Sequence, residues 1–199
     1  GNALAALDGH EMGVERLQQA HRTFQRGVGS GLDVAAAYRG GVILYQNNQA
    51  ETHGIDPNVH YGFVFAGEST QTPRMIARFN EWRGETTPTS LAELVSTANG
   101  VVEASLQANA FMSCMKDYIG ALVQLDQDAQ IGIFGPGHKA AMGLAEKHGV
   151  LYKPCGAGGG DMGVAFSTED GALTRFKRDV EEQGLNVVRL EIADDGVQV

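Results

Sequence analysis

At 199 residues with 43% hydrophobic and 20% charged side chains, the chain has the make-up of an ordinary globular protein, large enough for one generous domain or two small ones. Its formal charge of −9, with Lys and Arg scattered along the chain, argues against a nucleic-acid partner, which wants a basic stripe. No run approaches the roughly 18 apolar residues of a membrane span and no charged-then-apolar leader is seen, so the expectation is no membrane partner and a cytoplasmic location.

Residues 3–7 read as the end of a helix, which suggests that an N-terminal part of a longer protein precedes them. "VERLQQAHRTF", residues 14–24, has apolar positions at helical spacing and is closed by the glycines from Gly27 onward. After that glycine loop, "DVAAAY" predicts a short helix capped by its own acid, Asp33, and the β-branched "GVILY" predicts a buried strand. "YGFVFAG", residues 61–67, predicts a second strand. Thr72 and Pro73 read as the cap and first turn of a helix presenting Met75, Ile76, Phe79 and Trp82 on one face. Beyond the connector "TTPT", Ser90 and Glu93 have capping-box spacing, and residues 90–128 predict two helices broken at Gly100 or Gly120. Phe111, Met112 and Met115 are expected in the core.

"HKAAMGLAEKHG" predicts another helix, ended by Gly149, and residues 150–166 read as strand, glycine loop, strand. Ser167 is expected to cap a helix carrying Leu173, Phe176 and Val180 that stops at Gly184, and "NVVRLEIA" alternates as a half-exposed final strand. Because the central glycine loop joins two strands, the pattern favours an α+β fold, an antiparallel sheet with helices packed on one face. Cys114 and Cys155 stand far apart without C-x-x-C spacing, which predicts reduced thiols and no zinc site.

Two near misses need separating from real signals. Gly158, Gly160 and Gly163 match G-x-G-x-x-G, but "MGVAF" continues as a strand where a dinucleotide site needs a helix. Gly132 and Gly137 have P-loop spacing, yet His138 stands in place of the lysine and Ala140 offers no hydroxyl, so "GIFGPGHKA" reads as a turn before a helix. What remains is "GAGGGD". Consecutive glycines take positive φ, and their amides can form an anion nest or let another loop lie against bare backbone. A tight hairpin connection needs fewer glycines. Asp161, ending this turn, reads as a cap on backbone amides or a magnesium contact. In "GVGSGLDVAAAYRGG", Asp33 stands at a loop-to-helix junction, where its carboxylate could cap the helix, orient a hydroxyl and accept its proton, or help place magnesium. His21 and Gln25, one turn apart, are placed to hold this loop by hydrogen bonds.

Together, in this order, the two glycine segments resemble the GHMP kinase superfamily. "KPCGAGGGDMGVAF" is similar to the family's third motif in its phosphomevalonate kinase form, and "AHRTFQRGVGSGLDVAAAYRGGV" to the segment bearing the catalytic aspartate. The resemblance runs from about residue 3 to residue 192 and is specific in these two blocks. It implies the tail of an N-terminal domain over residues 1–50 and a ferredoxin-like C-terminal domain over residues 51–199. It also implies that the family's main phosphate loop and N-terminal lysine precede Gly1, so that these residues alone bind ATP weakly or not at all.

Carried over residue by residue, the resemblance implies Asp33 as the catalytic aspartate facing the acceptor. Ser30, Gly31, Cys155, Gly156, Ala157 and Arg39 are implied as substrate-facing, and Gly158, Gly159 and Gly160 as cofactor-facing, with ATP and Mg2+ as cofactors and no protein metal ligand. Cys155 departs from the family's serine, a much stronger hydrogen-bond donor. Arg39 could equally be a surface residue, and Lys153, at a strand edge, reads as solvated. The implied activity is transfer of the ATP γ-phosphoryl group to phosphomevalonate or a similar small acceptor in isoprenoid precursor synthesis. Mevalonate kinase or a sugar kinase is the alternative within the superfamily, and a non-catalytic ferredoxin-like binding module the alternative outside it. The acid at position 33 speaks against the module, which has no use for it.

Overall fold

The computed structural model describes residues 14–24, 30–67 and 72–196. The helix tail expected at residues 3–7, Gln25, and the glycines at 27 and 29 lie outside the described residues. The chain forms two compact units, one running to Gly54 and taking in the segment from Glu191, the other spanning Ile55–Leu190.

In the first unit, α1 (Val14–Phe24) packs on α2 (Leu32–Arg39) through Leu17 and Val34. A hairpin of β1 (Val42–Gln46) and β2 (Gln49–His53) follows, in antiparallel register with Tyr45 opposite Ala50. Its two-residue turn puts Asn47 at φ 52° and Asn48 at φ 62°, the left-handed pair that a tight hairpin needs and that asparagine tolerates. The "GVILY" strand is half-buried rather than buried, and its partner β2 went unpredicted because "QAETH" has no apolar run. At the end of α2, Gly40 has φ 72° and the next amide, Gly41 N–H, donates to Ala193 O at 2.6 Å, so the segment from Glu191 closes against this unit.

The second unit is built on a four-stranded antiparallel sheet in the order β4 (Leu151–Pro154), β5 (Met162–Ser167), β3 (His60–Phe65), β6 (Asn186–Val188). On one face, Val64, Tyr152 and Ala165 meet α6 (Pro136–Lys147) through Ala141 and Ala145, and α7 (Asp170–Glu182) through Leu173, Phe176 and Val180. The opposite face is covered too. Val164 and Phe166 pack against Phe111, Met115 and Ile119 of α5 (Ala108–Ala129). The expectation of helices on one face is thus corrected: the apolar residues of β5 are buried on both sides, and only a two-sided cover satisfies them. Behind α5 lie α3 (Thr72–Arg83), through Met75 and Phe79, and α4 (Thr89–Glu103), through Leu91 and Leu94. The described residues therefore form an α+β fold with antiparallel sheets and seven helices. None of those helices is long and apolar enough to cross a membrane.

Several boundaries differ from the sequence reading, each for a local reason. Gly100 and Gly120 lie inside helices; the chain breaks at residues 104–107, where Asp56, distant in sequence, takes over. Its Oδ2 accepts Ala108 N–H at 3.0 Å and its own N–H donates to Ser105 O at 2.8 Å, so the start of α5 is capped from another element. Bonds from the main-chain and side-chain N–H groups of Asn58, then from Ala108, hold the Asp56 carboxyl below the usual carboxylate range. Ser90 is not a cap: Pro88 precedes the first turn, its carbonyl accepting Leu91 and Ala92 N–H, and Ser90 is buried inside the helix. Thr72 is likewise the first residue of α3 rather than its cap. Ser167 ends β5, and its hydroxyl accepts Glu169 N–H at 3.0 Å, one step before the helix starts. The final strand is cut to Asn186–Val188, paired with Phe63–Phe65, because the chain then leaves for the first unit.

Helices α6 and α7 are tied by one carboxylate. Asp179, 6% exposed, accepts from Lys147 Nζ at 2.7 Å, His148 Nε2 at 2.8 Å and Arg178 Nη2 at 2.9 Å. The hydrogen bond from Lys147, then those from His148 and Arg178, hold its carboxyl far below the usual range. A carboxyl whose folded pKa is depressed contributes stability that is full above the unfolded value, near 4, and lost as pH falls toward the folded one. Thermal melts should therefore show the wild-type Tm dropping between about pH 5 and about pH 3. Asp179→Asn should lower the Tm at pH 7 and flatten that slope, and a slope left unchanged would place the acid sensitivity elsewhere.

Candidate functional site

Around Asp33, local geometry replaces the simple cap. Gly31, at φ 75°, precedes α2 and makes no side-chain cap; Ser30 Oγ accepts Leu32 N–H at 3.2 Å. A left-handed residue here suits glycine, and a Cβ on Gly31 would come within 3.3 Å of Gln18 Cγ and 3.4 Å of Tyr45 Oη. Tyr45 O–H donates to Ser30 O at 2.6 Å and Gln18 Nε2 donates to Tyr45 Oη at 3.3 Å, so α1 and β1 together hold the loop end. The Asp33 carboxylate, 65% exposed, points to no helix amide and meets His21 Nε2 at 3.2 Å instead. It is thus an accessible acid on the first turn of α2, oriented by a histidine on the neighbouring helix. Arg39 stands at the far end of α2, exposed, about 9 Å along the axis from Asp33.

The second group of predicted residues lies in the other unit, between β4 and β5. Gly156, Gly158 and Gly159 all take positive φ, at 59°, 78° and 88°. The loop turns on Cys155 O, which accepts Gly158 N–H at 3.2 Å, and Cys155 N–H donates to Met162 O at 2.8 Å. Bare backbone is demanded because the 131–137 loop lies against it. Gly159 N–H donates to Ile133 O at 2.7 Å, and a Cβ on Gly158 would stand 2.5 Å from the same oxygen. The approach is mutual: a Cβ on Gly135 would collide with Gly159 O, and one on Gly137 with Ala66 O. Ala66, Gly67, Pro136, Gly137, Gly159 and Gly160 then line a pocket of about 280 Å³ at the start of α6. "GIFGPGHKA", read as a turn before a helix, is that, and it is also the partner of the glycine loop. The paired glycines 135 and 137 are the signal that could have revealed it.

In the G-x-G-x-x-G near miss, Gly163 sits in β5 and opens no helix. Its missing side chain makes room for the hydroxyl of Tyr152, which lies 2.9 Å from His138 Nδ1. Both rings are buried, and burial first of all keeps the His138 pKa low and pushes the Tyr152 hydroxyl up. His138 thus serves packing where a P-loop would carry its lysine.

Lys153 corrects an expectation. Rather than standing solvated at an edge, it is half-buried, with its ammonium 5.8 Å from the centre of the Tyr118 ring, within cation–π range. Burial lowers its pKa, against a raising influence of Cys155. Among the described residues no carboxylate pairs with it. Burial likewise raises the Cys155 thiol, Lys153 opposing; Cys114 and Cys155 are both free. Asp161, exposed at the loop's end, accepts Ala66 N–H with its carbonyl at 2.9 Å. No group of three or more metal-ligating side chains occurs among the described residues.

Compared with protein-family models, the chain matches none. It is 28% identical over 205 residues to a phosphomevalonate kinase of a Streptomyces species, an alignment covering 85% of this chain and 54% of that protein. In three dimensions it is similar to the Lin0012 protein from Listeria innocua, with a TM-score of 0.82 at 20% identity over 96% of this chain and 62% of that one. It is also similar to Streptococcus pneumoniae phosphomevalonate kinase in complex with phosphomevalonate and AMPPNP, with a TM-score of 0.76 at 18% identity over 96% of this chain and 64% of that one. The chain thus spans about half the length of its curated relative and about three fifths of these solved chains.

The loop-on-loop contact makes a stability contrast. Gly158→Ala combines a left-handed backbone with a Cβ driven into Ile133 O and should cost roughly 2–4 kcal/mol, while Gly156→Ala, with open space around it, should cost only the backbone strain of roughly 1–2 kcal/mol. Urea unfolding midpoints of the two variants check the ranking; equal losses would mean that the Ile133 loop yields.

Proposed function

We propose that this chain, a member of the GHMP kinase superfamily by its fold and its distant phosphomevalonate kinase homologue, works in an ATP-dependent kinase that phosphorylates phosphomevalonate or a close relative. The observation that carries this reading is the glycine loop. Positive φ at three glycines, with a second loop behind them, lets the turn border a pocket at the start of a helix, where main-chain amides outside the Gly158–Cys155 and Gly159–Ile133 bonds can meet phosphate oxygens. Gly158, Gly159 and Gly160 face the nucleotide, and Cys155, Gly156 and Ala157 face the acceptor. Asp33, with Ser30 and Gly31 before it, addresses the acceptor's attacking oxygen, and Arg39 binds an outlying anionic group of the substrate.

In the reaction, an acceptor oxygen forms a bond to the γ-phosphorus while the bond from that phosphorus to the β-bridging oxygen breaks and ADP leaves. Such a transfer asks for positioning and charge stabilisation more than for covalent chemistry by the protein. A phosphate acceptor is already ionised near neutral pH, so Asp33 orients it; His21 keeps the carboxylate in place at 3.2 Å. Mg2+ supplies charge neutralisation on the transferring phosphates. It commonly needs only one or two protein carboxylates, a demand that the exposed Asp33 or Asp161 fits.

Lys153 supports an anionic acceptor over a neutral sugar: a half-buried ammonium with no carboxylate partner among the described residues, two residues before the acceptor-facing Cys155, is matched by a phosphate or carboxylate. The second reading, a mevalonate kinase or another kinase with a hydroxyl acceptor, is favoured by the same fold in solved mevalonate and homoserine kinases. There Asp33 would take the hydroxyl proton as general base. Any of these enzymes would be cytoplasmic, and a phosphomevalonate or mevalonate kinase would belong to isoprenoid precursor synthesis.

The substrate is tested by following ADP release from the natural gene product with phosphomevalonate, mevalonate, homoserine and a sugar in turn; phosphomevalonate should have the highest kcat/KM, and another acceptor in first place overturns that choice. In that enzyme Asp33→Asn should cut kcat by about a hundredfold or more while the KM for ATP stays within about twofold. Equal losses in both would make Asp33 structural. Lys153→Met should raise the KM for the preferred acceptor about tenfold with little change in kcat, and an unchanged KM would remove Lys153 from the acceptor's anion.

A further inference from the structure

The loop that backs the glycine turn takes its own shape from one carboxylate. Asp126 stands in the last turn of α5, and its Oδ1 accepts Gly132 N–H at 2.7 Å and Ile133 N–H at 2.8 Å while its Oδ2 accepts Phe134 N–H at 3.0 Å. Three successive amides therefore converge on a single side chain. The chain is turned back to make this possible by Gln130 at φ 50° and Gly132 at φ 87°. Ile131, Ile133 and Phe134 are buried beneath it, so the loop is anchored by apolar packing and aimed by the carboxylate.

Only a carboxylate serves all three donors. An asparagine offers one carbonyl oxygen, and its NH2 group would face the Phe134 N–H, donor against donor. What the carboxylate aims is the Ile133 carbonyl, the acceptor for Gly159 N–H at 2.7 Å and the atom that leaves no room for a side chain on Gly158. Gly135, two residues on, abuts Gly159 O from the same loop and then leads into α6 beside the pocket.

We infer that Asp126 is a positioning residue: through the amides of Gly132, Ile133 and Phe134 it fixes the Ile133 carbonyl, and through that carbonyl it sets the placement of the 156–160 glycine loop against the substrate. The substrate half of this statement rests on the kinase reading above; the mechanical half stands without it. A carboxylate that merely closed α5 would affect stability alone. One that places the loop reaches nucleotide binding at Gly158 and Gly159 from a distance, as supporting residues behind a binding surface do.

The test uses the natural gene product with Asp126→Asn, Asp126→Ala and Gly135→Ala, the last pushing on Gly159 from the 131–137 loop without touching the carboxylate. Amide hydrogen exchange without substrate should speed up in peptides covering 155–162 as well as 131–135, and stay unchanged in α7. The KM for ATP should rise about three- to tenfold in Asp126→Asn and further in Asp126→Ala, because the residues held by the Ile133 carbonyl are the nucleotide-facing Gly158 and Gly159. Gly135→Ala should reproduce the same pattern. Faster exchange confined to 131–135, or a lowered Tm with the KM for ATP unchanged, overturns the inference. If Asp126→Ala does not fold, the other two variants decide. If no acceptor is phosphorylated at all, the kinase reading fails, and the exchange in 155–162 alone decides whether Asp126 sets the loop.

Discussion

Main chain against main chain is the contact on which the second unit turns. The 131–137 and 156–160 loops meet backbone to backbone, with a 2.7 Å hydrogen bond from Gly159 N–H to Ile133 O. A Cβ at 135 or at 158 would collide with the facing backbone, which explains glycine at both, while Gly137 answers to a different neighbour, Ala66 O. Each of these residues weakens the fold by about 0.5–1 kcal/mol through the freedom it has when unfolded. The burial of Ile131, Ile133 and Phe134 beside them offsets that loss and makes the junction rigid. The end of β3 joins in, as Ala66 N–H reaches Asp161 O and Ala66 O faces Gly137, so that three chain segments meet around one small pocket.

The second layer of helices is what delivers this junction. Helices α6 and α7 cover one face in the manner of a ferredoxin-like sheet, and their contact is secured by Asp179. Helix α5 covers the other face, and its C-terminal end carries Asp126 to the position from which the 131–135 loop springs. The insertion of α3, α4 and α5 between β3 and α6 thus does more than bury Val164 and Phe166. It brings a second loop alongside the glycine turn.

Elements with a strong apolar period were legible in the sequence: α1, α6, α7 and the strands on either side of the glycine loop lie where their spacing puts them. The glycine loop itself was recognisable by its composition, though its partner was not, since the partner's glycines had been explained as a turn. What stayed hidden was set by residues far away in the chain. Asp56 decides where α5 begins, and no local feature of residues 104–107 announces it. β2 is a mostly exposed strand that owes its existence to the Asn47–Asn48 turn and to β1. Lys153 sits in a strand whose alternation hides which face is covered, and only the presence of α5 turns its position from wet to half-buried. The cap expected of Asp33 fits propensity, but His21 competes for the same oxygens and wins.

Tyr152 and Gly163 are diagonal neighbours across β4 and β5, the phenol oxygen occupying the space that any larger residue at 163 would need. Their evolution is therefore coupled. A lineage that acquires a side chain at 163 must first give up the oxygen at 152, and His138, sealed in the interior, would then lose its only hydrogen-bond companion among the described residues. Substitution at any one of the three positions therefore bears on the other two.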